Sequence, residues 1–382
     1  MNEALKDTKS YCKKCILPES YPGISFNEEG ICNYCLKYKP HHEILGGDKL
    51  LEVLTSQPKT GQYHCVVPVS GGKDSAYILY YIVKKLGLKP LAVTYDSGFQ
   101  HEISIENARN ACRILNVPLI EVKSSVNIRS KMLKESLLVS KKVGYFWHQC
   151  GNCEAILRNM SINTAKTYGA PFIVWGSSAL ESGDDQTYDS YKNLGGAQDN
   201  ILFKIKRKIL FLLKNPEKIS TIPRIIYSYV GYHSIKYYFY SIYQRLALGF
   251  PYRFAFRPHA IIPFENKTAR FVHFFDYVDW NSIKNIELLK NELNWKHPVG
   301  QDARWDCKIH CLGNYAYLKM YTISGDGINA CNFIRENKVN RESAMEKEID
   351  LSKSVEHKCE ELIRGIGLKN YTLGFFKKIL RP

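Results

Sequence analysis

Between residues 63 and 175, short runs of consecutive apolar residues alternate with segments whose apolar residues recur every three or four positions. Since a strand covered on both faces is apolar throughout, the short runs predict buried strands at 65–69, 91–95, 118–122 and 171–175. The helical spacing predicts helices at 78–86, 105–115 and 154–168. Strands and helices that alternate in this way predict the α/β class, with a doubly wound parallel sheet.

The pattern changes on both sides of this region. Residues 11–39 form a compact, cysteine-rich segment with short turns, and 181–200 is a polar stretch rich in Gly and Asp. Beyond residue 261, helical spacing predicts helices at 281–293, 314–321, 327–336 and 341–350. We therefore predict a cysteine module, a sheet domain, an insertion and a mostly helical C-terminal substrate region, at 1–45, 46–183, 184–260 and 261–382.

The composition adds a strongly basic segment to this outline. A hydrophobic content of 45% supplies a core, and much of the net charge of +16 is local, because residues 201–260 hold eleven Lys or Arg and one acid, Glu217. Fourteen aromatic residues lie among these charges. Three interpretations stay open: a helical cap with solvated lysines, an amphipathic helix at 204–213 on anionic lipid, and an RNA-binding surface. We rank them in that order, so nucleic acid is the least favoured partner.

The sequence also predicts where the protein works. The first ten residues are polar and charged and do not resemble a secretion signal. No run in 201–260 reaches eighteen apolar residues, so a spanning helix is not predicted there. We predict a cytoplasmic protein, with peripheral contact at the inner membrane surface through 201–260 if the lipid interpretation holds.

The first predicted strand leads into a glycine-rich loop with the composition of a phosphate site. The loop consists of Val69, Ser70, Gly71, Gly72, Lys73, Asp74 and Ser75. Amide groups at a helix entrance attract phosphate, glycines allow close approach, a lysine adds positive charge and an aspartate orients Mg²⁺. The spacing departs from the Walker pattern, which argues against simple hydrolysis of the γ-phosphate. The alternative is a tight turn between a strand and a helix.

This loop resembles the phosphate loop of the ATP pyrophosphatase superfamily, which includes GMP synthetase, asparagine synthetase and tRNA-thiolating enzymes. The resemblance implies an adenine nucleotide alpha-hydrolase-like domain that cleaves ATP to AMP and pyrophosphate, with AMP passing to a substrate oxygen. It also implies that later strand ends hold adenosine, at Tyr95 with Asp96 and at Gly176 with Ser177. Ordinary turns are the alternative at both strand ends.

Two cysteine pairs in the N-terminal unit have the spacing of a metal site. They are Cys12 with Cys15 and Cys32 with Cys35, and sixteen residues separate the pairs. Two residues between paired cysteines let both sulfurs reach one ion, so the four predict a structural Zn²⁺ site that performs no chemistry. A labile iron–sulfur cluster or a metal-free set of thiols is the alternative.

A third pair, Cys150 with Cys153, admits several interpretations. It is a second metal site, joined by Cys307 or Cys311, or a catalytic thiol pair, or two small residues at the start of a buried helix. The other cysteines are isolated in sequence and are predicted to be buried small hydrophobic residues; they are Cys65, Cys112, Cys331 and Cys359.

Several strings, taken in their order along the chain, resemble the N-acetyl sugar amidotransferases of bacterial surface-polysaccharide biosynthesis, such as lipopolysaccharide O-antigen, and of flagellin glycan biosynthesis. They cover most of the chain outside 184–260. The strings are 12–18, 69–75, 91–96, 150–153, 173–176, 292–295, 304–310, 314–315, 334–335 and 341–344.

This family resemblance implies an ATP-dependent ligase reaction. ATP would adenylate the oxygen of an N-acetyl group on a sugar, expected to be nucleotide-linked, and ammonia would displace AMP to leave an acetamidino group. Lys73 and Asp74 are the implied catalytic residues with Mg²⁺. The chain shows no evident glutaminase domain, so the expected partners are ammonia-supplying subunits of the glutaminase and cyclase type. Asp306, Cys307 and His310 are candidate contacts of the sugar or amide, with helix-start capping as the alternative.

Two rival functions share part of this pattern. A tRNA-thiolating enzyme would use the same phosphate loop with Cys150 and Cys153 as reactive thiols. A nucleotide-sensing scaffold would bind ATP and a glutaminase without turnover.

Overall fold

The computed structural model describes residues 10–38 except 22, 44–124, 126, 129–131, 133, 148–176, 269–297 and 306–365. The side chains of 148–152, 154, 155, 282, 283 and 320 are outside this description. The predictions for the insertion at 184–260, with its lipid or RNA contact, and for Ser177 therefore lie outside the described residues. The bounds of the four predicted regions stay predictions.

The secondary structure follows the predicted alternation. The elements are α1 (Asn33–Leu36), α2 (Gly47–Thr55), β1 (Cys65–Pro68), α3 (Lys73–Tyr80), β2 (Pro90–Asp96), α4 (Glu102–Ile114), β3 (Leu119–Lys123), α5 (His148–Tyr168), β4 (Phe172–Trp175), β5 (Arg270–His273), α6 (Ser282–Leu293), α7 (His310–Tyr321), α8 (Gly325–Arg335) and α9 (Arg341–Gly365). A π-helix, Tyr81–Lys85, continues α3, and a 3-10 helix, Phe274–Asp276, follows β5.

The five strands form one sheet in the order β3-β2-β1-β4-β5, and every pair is parallel. Cys65 on β1 is the register partner of Pro90 on β2 and of Phe172 on β4. The chain moves outward from β1 to β2 and β3, then returns to the other side of β1 for β4. The carboxyl ends of β1 and β4 therefore flank the point where the strand order reverses, which is where open α/β sheets bind ligands.

Helices cover both faces of this sheet, which confirms the predicted doubly wound α/β class. Alternate residues of β1 point to opposite sides: Val67 packs in a cluster with residues of α3, α4 and α6, whereas Val66 packs with residues of α5. β1 and β4 are buried along their whole length, as their continuous apolar runs predict.

The sequence did not predict β5. This strand pairs with β4 from Phe172 opposite Arg270 to Trp175 opposite His273. Its four residues include Arg270 and His273, so β5 lacks the continuous apolar run that identified the equally short β1 and β4. β5 is therefore defined by its partner strand.

The C-terminal helices form a separate layer, in agreement with the predicted helical region. Helices α7, α8 and α9 pack against one another. The N-terminal cysteine segment packs onto α8, where Ile16 and Leu17 join a buried cluster with Ile328 and Ile334. In the part of the chain that the structure describes, no helix has the length and apolar character needed to cross a bilayer.

Candidate functional site

The glycine-rich loop lies at the reversal point of the sheet. β1 ends at Pro68, the amide of Val69 still donates to the carbonyl of Val93 at 2.8 Å, and α3 begins at Lys73. Gly72 caps the amino end of α3 without a side-chain hydrogen bond, so the first amides of this helix open toward the loop. Amides at such a position attract anions, and the helix dipole adds to the attraction.

The loop is held in a tight conformation by its own serines. The amide of Ser70 donates to Ser75 Oγ at 3.1 Å, the amide of Gly72 donates to Ser70 Oγ at 3.3 Å, and Ser75 Oγ donates to the Gly72 carbonyl at 3.0 Å. Both predicted hydroxyls therefore shape the loop.

Gly71 is required by a close approach of backbone. Its φ of +82° favours glycine, and a Cβ at this position would lie 1.7 Å from the carbonyl oxygen of Ser104 on α4. The loop thus passes directly over the first turn of α4.

Lys73 and Asp74 form an ion pair at the entrance of α3. Lys73 Nζ donates to Asp74 Oδ2 at 2.8 Å, and each side chain is 20% exposed. The other carboxylate oxygen, Asp74 Oδ1, accepts a hydrogen bond from Trp280 Nε1 at 3.0 Å. The lysine ammonium also lies 5.4 Å from the centre of the Trp280 ring. A lysine and a carboxylate are therefore both presented at the loop.

Two tryptophans that flank α6 contact this loop, and the sequence did not identify either as part of the site. Besides Trp280, Trp295 donates from Nε1 to the Gly71 carbonyl at 2.9 Å and is 3% exposed. A buried indole N–H needs a hydrogen-bond acceptor, so a tryptophan near the end of an element is expected to reach a backbone carbonyl or a carboxylate. The sequence alone does not identify which acceptor it reaches.

Of the three candidate substrate contacts in the C-terminal region, the structure brings Asp306 to the loop. Its Oδ2 lies 4.0 Å from the position of a Cβ on Gly72. The segment is attached to the loop that follows β2, because the amide of His101 donates to the Asp306 carbonyl at 3.3 Å and the amide of Lys308 donates to the Phe99 carbonyl at 2.8 Å. Two carboxylates, on Asp74 and Asp306, therefore lie beside the loop.

His310 and Cys307 have other contacts. His310 Nε2 lies 2.9 and 3.0 Å from the two carboxylate oxygens of Asp326, at the start of α8. Cys307 forms a β-bridge with Gln100. Their role as substrate contacts stays a prediction.

The predicted adenosine positions lie at the carboxyl edge of the sheet. Asp96 is 6% exposed, and its Oδ1 accepts from the amide of Gly98 at 2.7 Å. The Tyr95 hydroxyl is 2.7 Å from Ser124 Oγ, and burial raises the pKa of Tyr95 to about 12. A Cβ on Gly176 would lie 2.8 Å from Ile78 Cδ1, so this glycine packs closely against α3.

Cys153 lies against a buried guanidinium. Arg129 Nη2 donates to Cys153 Sγ at 3.1 Å, and Arg129 is 5% exposed. Cys150 belongs to the same helix, α5, but its side chain is outside the described set. Among the side chains that are described, no metal-ligating group of three or more forms around Cys153, Cys307 or Cys311. Cys311 instead donates to the Lys308 carbonyl at 3.2 Å and packs against the buried cluster that contains Cys359.

The four N-terminal cysteines come together as the spacing predicts. Their sulfurs all lie within 4.8 Å of one another, and all four residues are buried. Backbone amides point at these sulfurs: those of Cys15 and Cys32 donate to Cys12 Sγ at 3.4 and 3.3 Å. A tetrahedral metal with thiolate ligands fits this arrangement, and Zn²⁺ and iron both accept such ligands.

Residues of the C-terminal layer complete the environment of this cluster. Arg335 on α8 donates from Nε to Cys35 Sγ at 3.3 Å, and Arg341 donates from Nε to the carbonyl of Cys15 at 2.9 Å. Cys331, predicted to be an isolated buried residue, is 1% exposed, packs in the same buried cluster as Cys15, and donates to the Gly327 carbonyl at 3.3 Å. Four thiolates around a divalent ion carry a net negative charge, which the Arg335 guanidinium offsets.

No protein-family model matches the chain. An uncharacterized protein of Methanocaldococcus jannaschii is 36% identical over 101 residues, which is 25% of this chain and 36% of that protein. The match therefore spans about a third of the relative's length.

Three solved structures show similarity over part or most of the chain. NMN synthetase from Francisella tularensis is 25% identical with a TM-score of 0.27, and the match covers 35% of this chain and 54% of the synthetase chain. NH3-dependent NAD synthetase from Campylobacter jejuni is 18% identical with a TM-score of 0.27 and the same two coverages, 35% and 54%. The tRNA thiolase NcsA from Methanococcus maripaludis, solved with its 4Fe–4S cluster, is 11% identical with a TM-score of 0.35, and covers 91% of this chain and 89% of its own.

Proposed function

We propose that this protein is an ATP-dependent, AMP-forming enzyme of the ATP pyrophosphatase type, which converts an N-acetyl group on a nucleotide-linked sugar to an acetamidino group. The observation that carries the proposal is the loop 69–75, which brings open helix amides, Lys73 and Asp74 to the reversal point of a parallel sheet. The order of the sequence strings supports the choice of an amide on a sugar as the second substrate.

The chemistry needs an activated amide, because an amide carbonyl is a poor electrophile. The amide oxygen attacks the α-phosphorus of ATP and pyrophosphate leaves. The resulting imidate carries the adenylyl group on its former carbonyl oxygen, which makes the attached carbon a good electrophile. Ammonia adds to that carbon and AMP leaves with the oxygen, which gives the amidine. Ammonia would come from a partner glutaminase, and cleavage at the α-phosphorus explains why the loop differs from a Walker loop.

The described side chains provide groups suited to the leaving pyrophosphate. Lys73 and the first amides of α3 supply positive charge, which stabilises the negative charge that develops on pyrophosphate. Asp74 and Asp306 would hold Mg²⁺, which prefers carboxylate ligands and substrate phosphates. Mg²⁺ supplies charge neutralisation for the leaving group. The cysteine cluster would hold Zn²⁺ as a structural ion.

A specific contact favours a second candidate, tRNA thiolation. Arg129 donates to Cys153 Sγ at 3.1 Å, and a guanidinium beside a sulfur favours the thiolate, which is the nucleophilic form. In this second candidate a separate sulfur donor would load Cys153 with a persulfide, whose outer sulfur would displace AMP from the activated base of tRNA. The Cys150 thiol would then release the thiolated base, and an external thiol would reduce the Cys150–Cys153 disulfide that remains.

A substrate panel separates the two candidates. We would incubate the protein with ATP, Mg²⁺, ammonium and UDP- or CMP-linked N-acetyl sugars, and measure AMP, pyrophosphate and product mass. The sugar proposal expects AMP release only with a substrate sugar, and a product about one dalton lighter, since oxygen is exchanged for NH. A silent panel together with thiolated tRNA would support the second candidate instead.

A pair of matched variants tests whether the loop performs the chemistry. Lys73→Met removes the lysine that pairs with Asp74 at 2.8 Å. Lys49→Met is the control, because Lys49 pairs with Glu52 at the same distance, 2.8 Å, but on the surface of α2. We expect AMP formation to fall by at least about a hundredfold in Lys73→Met only, the loss typical of a removed electrostatic group. Equal rates in both variants would refute the assignment and favour a scaffold role.

A further inference from the structure

The Asp74 carboxylate is held on both of its oxygens, by two residues with different chemistry. Lys73 Nζ contacts Oδ2 at 2.8 Å, and Trp280 Nε1 contacts Oδ1 at 3.0 Å. The positive charge of Lys73 is also suited to bind a phosphate of the nucleotide. The indole N–H carries no charge and cannot ionise, so it has no comparable attraction to the nucleotide.

Trp280 is itself supported by a residue of α8. Its ring lies 4.4 Å from the ring of Phe333, with an angle of 35° between the two planes. Its neighbour Asp279 forms an ion pair with Lys338, just beyond α8. Phe333 is 7% exposed, so it offers a firm surface to the indole. The orientation of the Trp280 N–H is therefore fixed by packing and does not depend on Asp74 alone.

These contacts assign different roles to the two donors when a nucleotide binds. If Lys73 turns from Asp74 to a phosphate, Oδ2 becomes available to a metal ion while Oδ1 keeps its hydrogen bond with Trp280. A carboxylate fixed at one oxygen has lost its rotational freedom before the metal arrives. The cation–π contact at 5.4 Å also keeps the lysine ammonium near this carboxylate.

We propose that Trp280 is a positioning residue, whose indole N–H holds Asp74 in the orientation that binds Mg²⁺ with ATP. The inference rests on the proposed function of the loop, and it adds a residue from a segment far along the chain. Phe333 is the support that keeps the indole in place.

The test uses Trp280→Phe, which removes the N–H and keeps an aromatic ring against Phe333 and Lys73. We expect the Mg²⁺ concentration for half-maximal AMP formation to rise about tenfold, as for the loss of one hydrogen bond to a charged group, while kcat at saturating Mg²⁺ changes less than twofold. Trp175→Phe is the control, since it alters another buried indole, which packs against Phe271 on the far face of the sheet. It should leave the Mg²⁺ dependence unchanged.

A spectroscopic measurement keeps this inference separate from the proposed function. In the full-length protein, the indole ¹H–¹⁵N resonance of Trp280 is assigned as the one that is missing from the spectrum of Trp280→Phe. This resonance should shift in Asp74→Asn, whether or not ATP is consumed. No shift would refute the contact. A shift with an unchanged Mg²⁺ requirement in Trp280→Phe would refute the positioning role, and a wild-type protein that neither binds nor cleaves ATP would refute the proposed function and this role with it.

Discussion

At Gly71 the glycine-rich loop turns with φ at +82° directly against the Ser104 carbonyl. The substitution Gly71→Ala would combine a strained backbone with a Cβ at 1.7 Å from that oxygen. Gly87→Ala is the matched control, because φ there is +66° and nothing lies within 4 Å of its Cβ position. We expect the control to lower the free energy of unfolding by about 1 kcal/mol, the cost of a left-handed residue.

Gly71→Ala should lower the free energy of unfolding by at least about 2 kcal/mol more than the control, because backbone must move to relieve the overlap. It should also weaken ATP binding, since the loop would leave its position over α4. Urea unfolding and a titration with ATP check both effects. Equal destabilisation in the two variants would mean that the approach of Gly71 to Ser104 is not tight.

Glu348 predicts a pH dependence of stability at the level of one side chain. It is 9% exposed, accepts from the Ser324 amide at 2.6 Å, and burial raises its pKa above the ordinary 4.5. A raised folded-state pKa means that the folded protein binds this proton more tightly than the unfolded chain. The stabilisation is therefore full below the ordinary pKa and is lost as pH rises through the raised value.

The measurement compares wild type with Glu348→Gln, which does not titrate. The free energy of unfolding of wild type minus that of the variant should increase as pH falls from about 7 to about 4. A difference that stays constant over this range would show that the Glu348 pKa is not raised by folding.

At the scale of elements, the cysteine cluster and α8 depend on each other. Removing a ligand leaves Arg335 buried at 9% exposure next to a damaged cluster, and a buried charge without its partners is costly. We expect Cys15→Ser to lose bound metal and to unfold at a lower temperature, with faster hydrogen exchange in α8. Metal content by mass spectrometry and amide exchange measure these effects.

Cys331→Ser is the control for this prediction, because Cys331 is buried in the same cluster as Cys15 but is outside the group of four sulfurs. It should keep the metal. A chelator should reproduce the effect of Cys15→Ser in the wild type. If Cys15→Ser retains its full metal content, the cluster is not the metal site.

The apolar pattern predicted most of the sheet elements because each carries a local signal, an apolar run in the strands and apolar residues at helical spacing in the helices. Strands β1 to β4 and helices α4, α6 and α8 lie within three residues of the predicted bounds. The pattern failed where an element depends on a distant partner: β5 forms on β4. It also ended α9 too early, since the structure continues it from Arg341 to Gly365.

For the whole molecule, the contiguous parts of the candidate site were predictable and the assembled parts were not. The residues of the loop 69–75 are consecutive, and the four cysteines form two closely spaced pairs, so both features are visible in short stretches of the sequence. Trp280 and Arg335 act through contacts 206 and 300 residues away, with Asp74 and Cys35. Such contacts depend on how helices pack against the sheet, and no local spacing encodes them. Asp306 lies near the loop because its segment is hydrogen-bonded to the residues that follow β2.

The position of β5 has a consequence for how this protein is made. Residues 176–269 separate β4 from the strand that covers its outer edge. A ribosome that adds about 5–20 residues per second needs several seconds for that stretch. During this time Phe172–Trp175 would offer an apolar, unpaired strand edge to other nascent chains. Slower translation should therefore lengthen the exposure and favour inclusion bodies, and chaperones that shield nascent chains should raise the soluble yield.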